Sequence, residues 1–404
     1  MQTGRVFRRF VILGVISACA QQQVTTSPRT TATSSAISVQ DLTSRLYAYA
    51  DDSMMGRESG TVGNVMATSY LAAEARRLGL EPGGDNGSYF QEIRSTSTRF
   101  SPGSVPGSAR NVVAVIRGSD PVLRNEYVAI GAHNDHVGIR RPAIDHDSLK
   151  ALNKELTRLG APFWDRSIPA SRRAAARAEV RLNIDSLRRI RPARLDSINN
   201  GADDDGSGTV AVLEIAEAIA ASPVKPKRSI LLVWHTAEEK GLLGAKWFTE
   251  NPTVPRSAIV AQLNMDMVGR GGAADITGGG PDYLQVVGSR RVSTELGDIV
   301  DQMNRARPRP FRLDYQYDAN GHPERIYCRS DHYMYARYGI PVTFFTTGLH
   351  AEYHQVTDEA QYIDYEHLQR VADFVHDVAV HVANLDHRPR VDRPVGDPGA
   401  VCVQ

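Results

Sequence analysis

The chain has 404 residues, with 47 Lys and Arg against 46 Asp and Glu, a formal net charge of +1, and 41% hydrophobic residues. So even a balance excludes nucleic-acid binding driven by bulk positive charge, and no basic tract is interleaved with aromatics. The length allows one large core or two, so it does not set the domain count.

In chain order, the first feature is a leader. Arg5, Arg8 and Arg9 precede the apolar run Phe10 to Ile16, which is too short to span a bilayer and suits a secretory signal. Ile16-Ser17-Ala18-Cys19 resembles the lipobox of bacterial lipoproteins. The expectation is a signal peptide over 1–18, a lipid on Cys19 that gives membrane contact, and a flexible tether over 19–38 whose Gln/Ser/Thr-rich stretch is too polar to fold. Ala20 after the cysteine fits sorting to an outer membrane, with the protein facing the periplasm or the cell surface. A domain over 39–390 and a C-terminal tail over 391–404 follow.

Buried strands are expected at Asn111 to Ile116, Tyr127 to Ile130, Ile230 to Trp234, Ile259 to Leu263 and Val342 to Phe345, each a short apolar run. A helix is expected over Thr209 to Ala221, where Val212, Leu213, Ile215, Ala216 and Ile219 form a stripe. Chemistry-bearing residues fall near several strand ends. His133 lies in Gly131-Ala132-His133-Asn134-Asp135-His136, Glu238 and Glu239 follow one strand, and Asp266 follows another. Asp204 sits in Gly201-Ala202-Asp203-Asp204-Asp205-Gly206, and His354 follows the last strand. Open α/β sheets bind ligands at such carboxyl ends.

Zinc takes imidazole nitrogen and carboxylate oxygen. Two ions about 4 Å apart can share a carboxylate and activate a water. Two His and three carboxylates divide evenly if each ion takes one His and one terminal carboxylate while the third carboxylate bridges. The charge then leaves room for a bridging hydroxide. Glu238, beside the ligand Glu239, is the candidate general acid/base.

Other metal chemistries fit less well. With Gly206 in the sixth place of an EF-hand loop, Gly201 falls first and Val212 twelfth, where acids are required. A metallo-β-lactamase-like pattern needs a His where this chain has Gly131. Neither His-Glu-x-x-His nor Gly-x-Ser-x-Gly occurs.

These residues together resemble the dizinc aminopeptidases of metallopeptidase family twenty-eight, whose relatives include glutamate carboxypeptidase and the glutaminyl cyclases. The likeness begins at Asp52-Ser53-Met54-Met55-Gly56-Arg57 and runs through Leu78-Gly79-Leu80 to the metal motifs. It implies a three-layer α/β/α sandwich around a mixed sheet and two Zn2+. The implied ligands are His133, Asp204, Glu239, Asp266 and His354, with Asp204 bridging. It also implies that Asp135 hydrogen-bonds the His133 ring and fixes its tautomer. The expected activity is hydrolysis of the N-terminal peptide bond of short peptides through a hydroxide held between the ions. Carboxypeptidase and glutaminyl-peptide cyclase activities are the alternatives on the same scaffold, and a non-catalytic binding protein is a further one.

Two features depart from the family pattern. A segment over 140–199 with a dozen arginines is far longer than an ordinary connection. Ala176, Val180, Ile184 and Leu187 recur there at helical spacing, so part of it is expected to be an amphipathic helix packed on the body, roofing the cleft and restricting substrates. Cys328 has no second cysteine nearby, and it is expected not to pair with Cys402.

Overall fold

The computed structural model describes residues 32–93, 109–276 and 278–404. The expected signal peptide, Cys19 and the expected tether up to residue 31 lie outside the described residues. From Thr33 onward the expected tether packs on the body instead. Thr33 Oγ1 donates to Glu217 (2.6 Å), Gln369 donates to the Ile37 carbonyl (2.9 Å), and Ile37 is buried. No described helix is long and apolar enough to cross a membrane.

The strands are β1 (Glu81–Pro82), β2 (Phe90–Glu92), β3 (Arg110–Ile116), β4 (Tyr127–His133), β5 (Ile139–Asp145), β6 (Leu195–Ile198), β7 (Ser229–His235), β8 (Ile259–Met265), β9 (Tyr283–Val287), β10 (Arg312–Asp314) and β11 (Val342–Thr346). The helices are α1 (Val39–Tyr49), α2 (Val62–Arg77), α3 (His146–Arg158), α4 (Ala170–Glu179), α5 (Ile184–Ile190), α6 (Gly208–Ala221), α7 (Leu243–Glu250), α8 (Thr294–Arg305), α9 (His332–Ala336) and α10 (Tyr365–Asn384).

Nine strands form one sheet in the order β1-β3-β7-β4-β8-β11-β9-β10, with β2 beside β3. The centre, β7-β4-β8-β11, is parallel, while β3 runs antiparallel to β7 and β9 antiparallel to β11. The sheet is therefore mixed, as expected. Alternate side chains divide between two cores. Val128, Ile130 and Ala132 of β4 face α1, α2, α6, α8 and α10, whereas Tyr127 and Ala129 face α7 and α9. Period-2 alternation with both faces covered makes the three-layer sandwich.

The five strand expectations each lie within an observed strand, short by one to three residues at the ends. β4, β7 and β8 run on to His133, His235 and Met265, carrying the ladder up to the residues that lead into the site. Helix α6 is apolar almost all round because it lies between the sheet and α1 and α10. It stops before Pro223, which cannot continue it.

The Arg-rich segment is more than one helix. β5 and β6 pair as an antiparallel ribbon that brings its ends together, with His146 N donating to Arg194 O at 2.9 Å. The single amphipathic stripe expected through Ala176, Val180, Ile184 and Leu187 is broken between α4 and α5. Ala176 is buried against Leu156 of α3, but Val180 ends α4, and the Asn183 side chain caps a new helix by accepting from Ser186 N. The cap competes with continuation of the helix. Lys150 Nζ reaches Glu352 (2.7 Å), Asn153 donates to Ala351 O (2.9 Å), and Trp164 packs on the second core.

Cys328 and Cys402 form a disulfide, correcting the expectation that they stay apart; their Cα atoms are 5.8 Å apart. The reason is the path of the last residues. Gln404 is buried, its amide donates to Tyr317 O (2.9 Å) and Ala319 O (3.1 Å), and it accepts from Tyr327 N (3.0 Å). The segment expected as a tail is thus fixed to the body.

Candidate metal centre

The carboxyl ends of β4, β7, β8 and β11 open on one side of the sheet, and the five expected ligands meet there. His133 closes β4, with its backbone fixed by Asp205 Oδ2 accepting its N–H (2.9 Å) and Thr209 Oγ1 donating to its carbonyl (2.7 Å). Asp204 lies in the turn before α6. Asp358 holds this turn by accepting from the backbone N–H groups of Asp203 (2.9 Å) and Asp204 (3.1 Å). Asp266 follows β8, and its Oδ2 accepts from Ser330 Oγ (2.7 Å), which itself accepts from Asn264 (2.9 Å). Glu238 and Glu239 follow β7. Ala237, Met267 and His354 hold φ of 55, 57 and 54°, a left-handed conformation uncommon for non-glycine residues. Such strain persists where surrounding structure dictates it, and here it lies in the loops that aim the donors.

Two groups of donors result, and Asp204 is in both. His133 Nε2 lies 3.1 Å from Asp204 Oδ1 and 3.6 Å from Asp266 Oδ1. His354 Nε2 lies 3.0 Å from Asp204 Oδ2 and 2.9 Å from Glu239 Oε2. The ligand atoms of His133, Asp204 and Asp266 are within 4.8 Å of one another, and so are those of His136, Asp204, Glu239 and His354. His136 was passed over in the sequence. Its position three residues after His133 was visible, but nothing in the spacing showed its ring turning back toward Glu239.

The donor set fits zinc. All six donors are nitrogen or carboxylate oxygen. His133 Nε2, Asp204 Oδ2 and Glu239 Oε1 are buried without a hydrogen-bond partner in the chain, which a cation would satisfy. Charge argues the same way. Burial opposes a charge on the His354 ring, yet the Glu239 and Asp204 carboxylates outweigh it and push its pKa up to about 11. His133 is likewise raised, against burial, by Asp266, Asp135 and Asp204. The pocket therefore attracts positive charge strongly.

Glu238 is close to the donors but makes no expected ligand contact. Burial, with Glu239 and Asp266 nearby, raises its pKa well above the carboxylate range. Asp135 departs from its expected role. Its carboxylate Oδ1 is 3.8 Å from His133 Nδ1, too long for a hydrogen bond. The Asp135 backbone carbonyl meets that nitrogen at 3.0 Å instead, so the carbonyl selects the tautomer. The carboxylate accepts the backbone N–H of Glu238 at 3.1 Å.

Beside the donors lies a pocket reached by Asp204, Glu238, Asp266 and His354 and walled by Met267, Tyr317, Ile326, Phe344, Leu349 and Tyr353. The Tyr353 ring stacks on His354 at 3.8 Å, and its hydroxyl accepts from Arg329 (3.0 Å). The pocket wall is mostly apolar, and Arg329 also lines it.

The sequence profile of Peptidase family M28 matches residues 183–379. The match contains Asp204, Glu238, Glu239, Asp266 and His354, and starts after His133. The chain is 40% identical over 80 residues to the leupeptin-inactivating enzyme 1 of Streptomyces exfoliatus (19% of this chain, 18% of that protein). It is 29% identical over 180 residues to leucine aminopeptidase 1 of Aspergillus fumigatus (42% of this chain, 43% of that protein). It thus spans less than half the length of these curated relatives. Among solved structures, the LapA aminopeptidase of Legionella pneumophila is similar at a TM-score of 0.55 and 18% identity, covering 86% of this chain and 73% of that one. A Zn-dependent exopeptidase from Parabacteroides distasonis is similar at 0.54 and 19%, covering 85% and 98%. The glutaminyl cyclase of Porphyromonas gingivalis is similar at 0.54 and 18%, covering 84% and 97%. At these identities the structures establish a shared fold. The profile match takes in β6 through most of α10, just under half of the chain, and that part is similar to Peptidase family M28.

Proposed function

We propose that the chain is a zinc-dependent exopeptidase that removes the N-terminal residue of short peptides. The observation that carries this reading is Asp204, one carboxylate common to two donor groups, with the non-ligating Glu238 beside it. Two Zn2+ would be held by His133, Asp204 and Asp266 and by Asp204, Glu239 and His354, with Asp204 common to both. Bound zinc supplies a Lewis acid and a water acidic enough to ionise near neutral pH. Glu238 accepts the proton of the attacking water and returns it to the leaving amine, a role suited to a carboxyl with a raised pKa. Asp135 acts as a positioning residue for Glu238. The apolar pocket takes the side chain of the terminal residue.

A panel of aminoacyl chromogenic substrates and blocked peptides, with and without chelator and with zinc stoichiometry measured on the same sample, tests the reading. Expected are cleavage only next to a free amine, loss with chelator, and return with zinc. Release of C-terminal residues would make it a carboxypeptidase, and a pyroglutamyl product from Gln-peptides a cyclase. The same reading places the protein at an outer membrane or cell surface through a lipid on Cys19. Mass spectrometry finding an unmodified residue other than Cys19 at the mature terminus would remove that anchor.

A further inference from the structure

His136 is fully buried. Its Nδ1 is 2.9 Å from Glu239 Oε1 and 3.8 Å from Asp204 Oδ2, and neither ring nitrogen has a hydrogen-bond partner. A ring nitrogen this close to a carboxylate oxygen, without hydrogen-bond geometry, is what two ligands of one ion present to each other. The fold also provides a place for this ring. A Cβ on Gly201 would lie 2.4 Å from His136 Cγ and 2.5 Å from Cδ2. Only a glycine at 201 admits the imidazole. Arg57 secures both sides, accepting from His136 N at its carbonyl (3.3 Å) and donating from Nη2 to Gly201 O (2.8 Å).

We infer that His136 is a sixth protein ligand, which makes the two ion positions unequal. The inference rests on the two-ion reading above. The position of Asp204, Glu239 and His354 gains a fourth protein donor, whereas that of His133, Asp204 and Asp266 keeps three. Four protein donors are the pattern of a closed zinc site, and three the pattern of one left open to water or substrate. The His136 position then holds its ion tightly, and the His133 position holds an exchangeable ion.

The test is zinc retention by the full-length protein, dialysed against graded chelator buffers and measured by mass spectrometry. Wild type is expected to lose its two ions in two well-separated steps. His136→Ala, and His136→Phe, which keeps a ring in the cradle, should weaken the tighter step by roughly 100-fold, at or above what loss of a supporting residue does to a zinc site. Two natively folded variants with an unchanged tight step would overturn the inference and leave the two-ion reading standing. No zinc bound by wild type would overturn both. X-ray absorption on wild type carrying one equivalent of zinc gives an answer that needs no variant to fold: two imidazoles per ion are expected, and one would overturn the assignment.

Discussion

The backbone N–H of Glu238 donates to the Asp135 carboxylate at 3.1 Å, tying the turn after β7 to the turn after β4. The proposed proton carrier is thus held by the same short loop that carries His133. Glu238→Gln should bind the wild-type amount of zinc while kcat falls at least 10²- to 10⁴-fold, the usual contribution of general acid–base catalysis. Turnover near wild type, with zinc content unchanged, would remove Glu238 from its role.

Asp135→Asn keeps the shape and still accepts from Glu238 N, so it should lower kcat much less than Asp135→Ala. Rescue by Asn identifies a positioning residue. Equal loss in both variants would mean that the negative charge of Asp135 matters.

Zinc affinity should rise with pH. In the ion-free protein Glu239 and Asp204 keep His354 charged up to about pH 11, and zinc binds only the neutral imidazole. Binding therefore expels at least one proton near neutrality, and each proton expelled strengthens the apparent affinity by about tenfold per pH unit. Chelator competition between pH 6 and 8 measures the slope, and a flat profile contradicts it.

Arg45 is fully buried among three carboxylates. Its Nε is 3.1 Å from Glu214, its Nη2 is 3.6 Å from Glu74, and Glu217 is also bound. Arg45→Met leaves these acids without their central cation and should cost about 3–5 kcal/mol, read as a lower denaturant midpoint. Burial already raises Glu214 to about 8 despite Arg45. The folded protein therefore holds a proton that the unfolded chain releases near 4.5, and this group's contribution declines as pH rises from about 4.5 to 8. A wild-type midpoint that climbs through that window at constant zinc would argue against it.

Replacing residues 147–193 with a short Gly linker should preserve the fold, because His146 and Arg194 are already joined across the ribbon. The excision removes Lys150 and Asn153 from the loop leading to His354, and Trp164 from the second core. The ratio of kcat/KM for long peptides to that for dipeptides should increase. An unchanged ratio would mean that the segment does not select length.

The central strands and much of the donor set were legible because His133, Glu239 and Asp266 sit at or just past the place where a short apolar run stops. What escaped depends on distance. β1, β2, β9 and β10 are too short or too irregular to carry a pattern of their own, and they are strands only because β3 offers an edge to β1 and β2, β11 to β9, and β9 to β10. Cys328 and Cys402 are separated by 74 positions, and only the course of the last residues brings them together. His136 stood inside a recognised motif, but the room for its ring beside Glu239 comes from Gly201, far along the chain. The Asp135 assignment missed because a carbonyl and a carboxylate of the same residue compete for one nitrogen, and a sequence does not say which arrives.

Asp204 belongs to both donor groups, so two cations bound there would act as rivets along the carboxyl edge of the sheet, clamping strand ends that are remote in sequence. Without them, the same carboxylates crowd one another at the hub of the domain. A chain made in zinc-starved cells inherits that repulsion, and its lifetime against proteolysis should be governed by metal supply as much as by the quality of its cores.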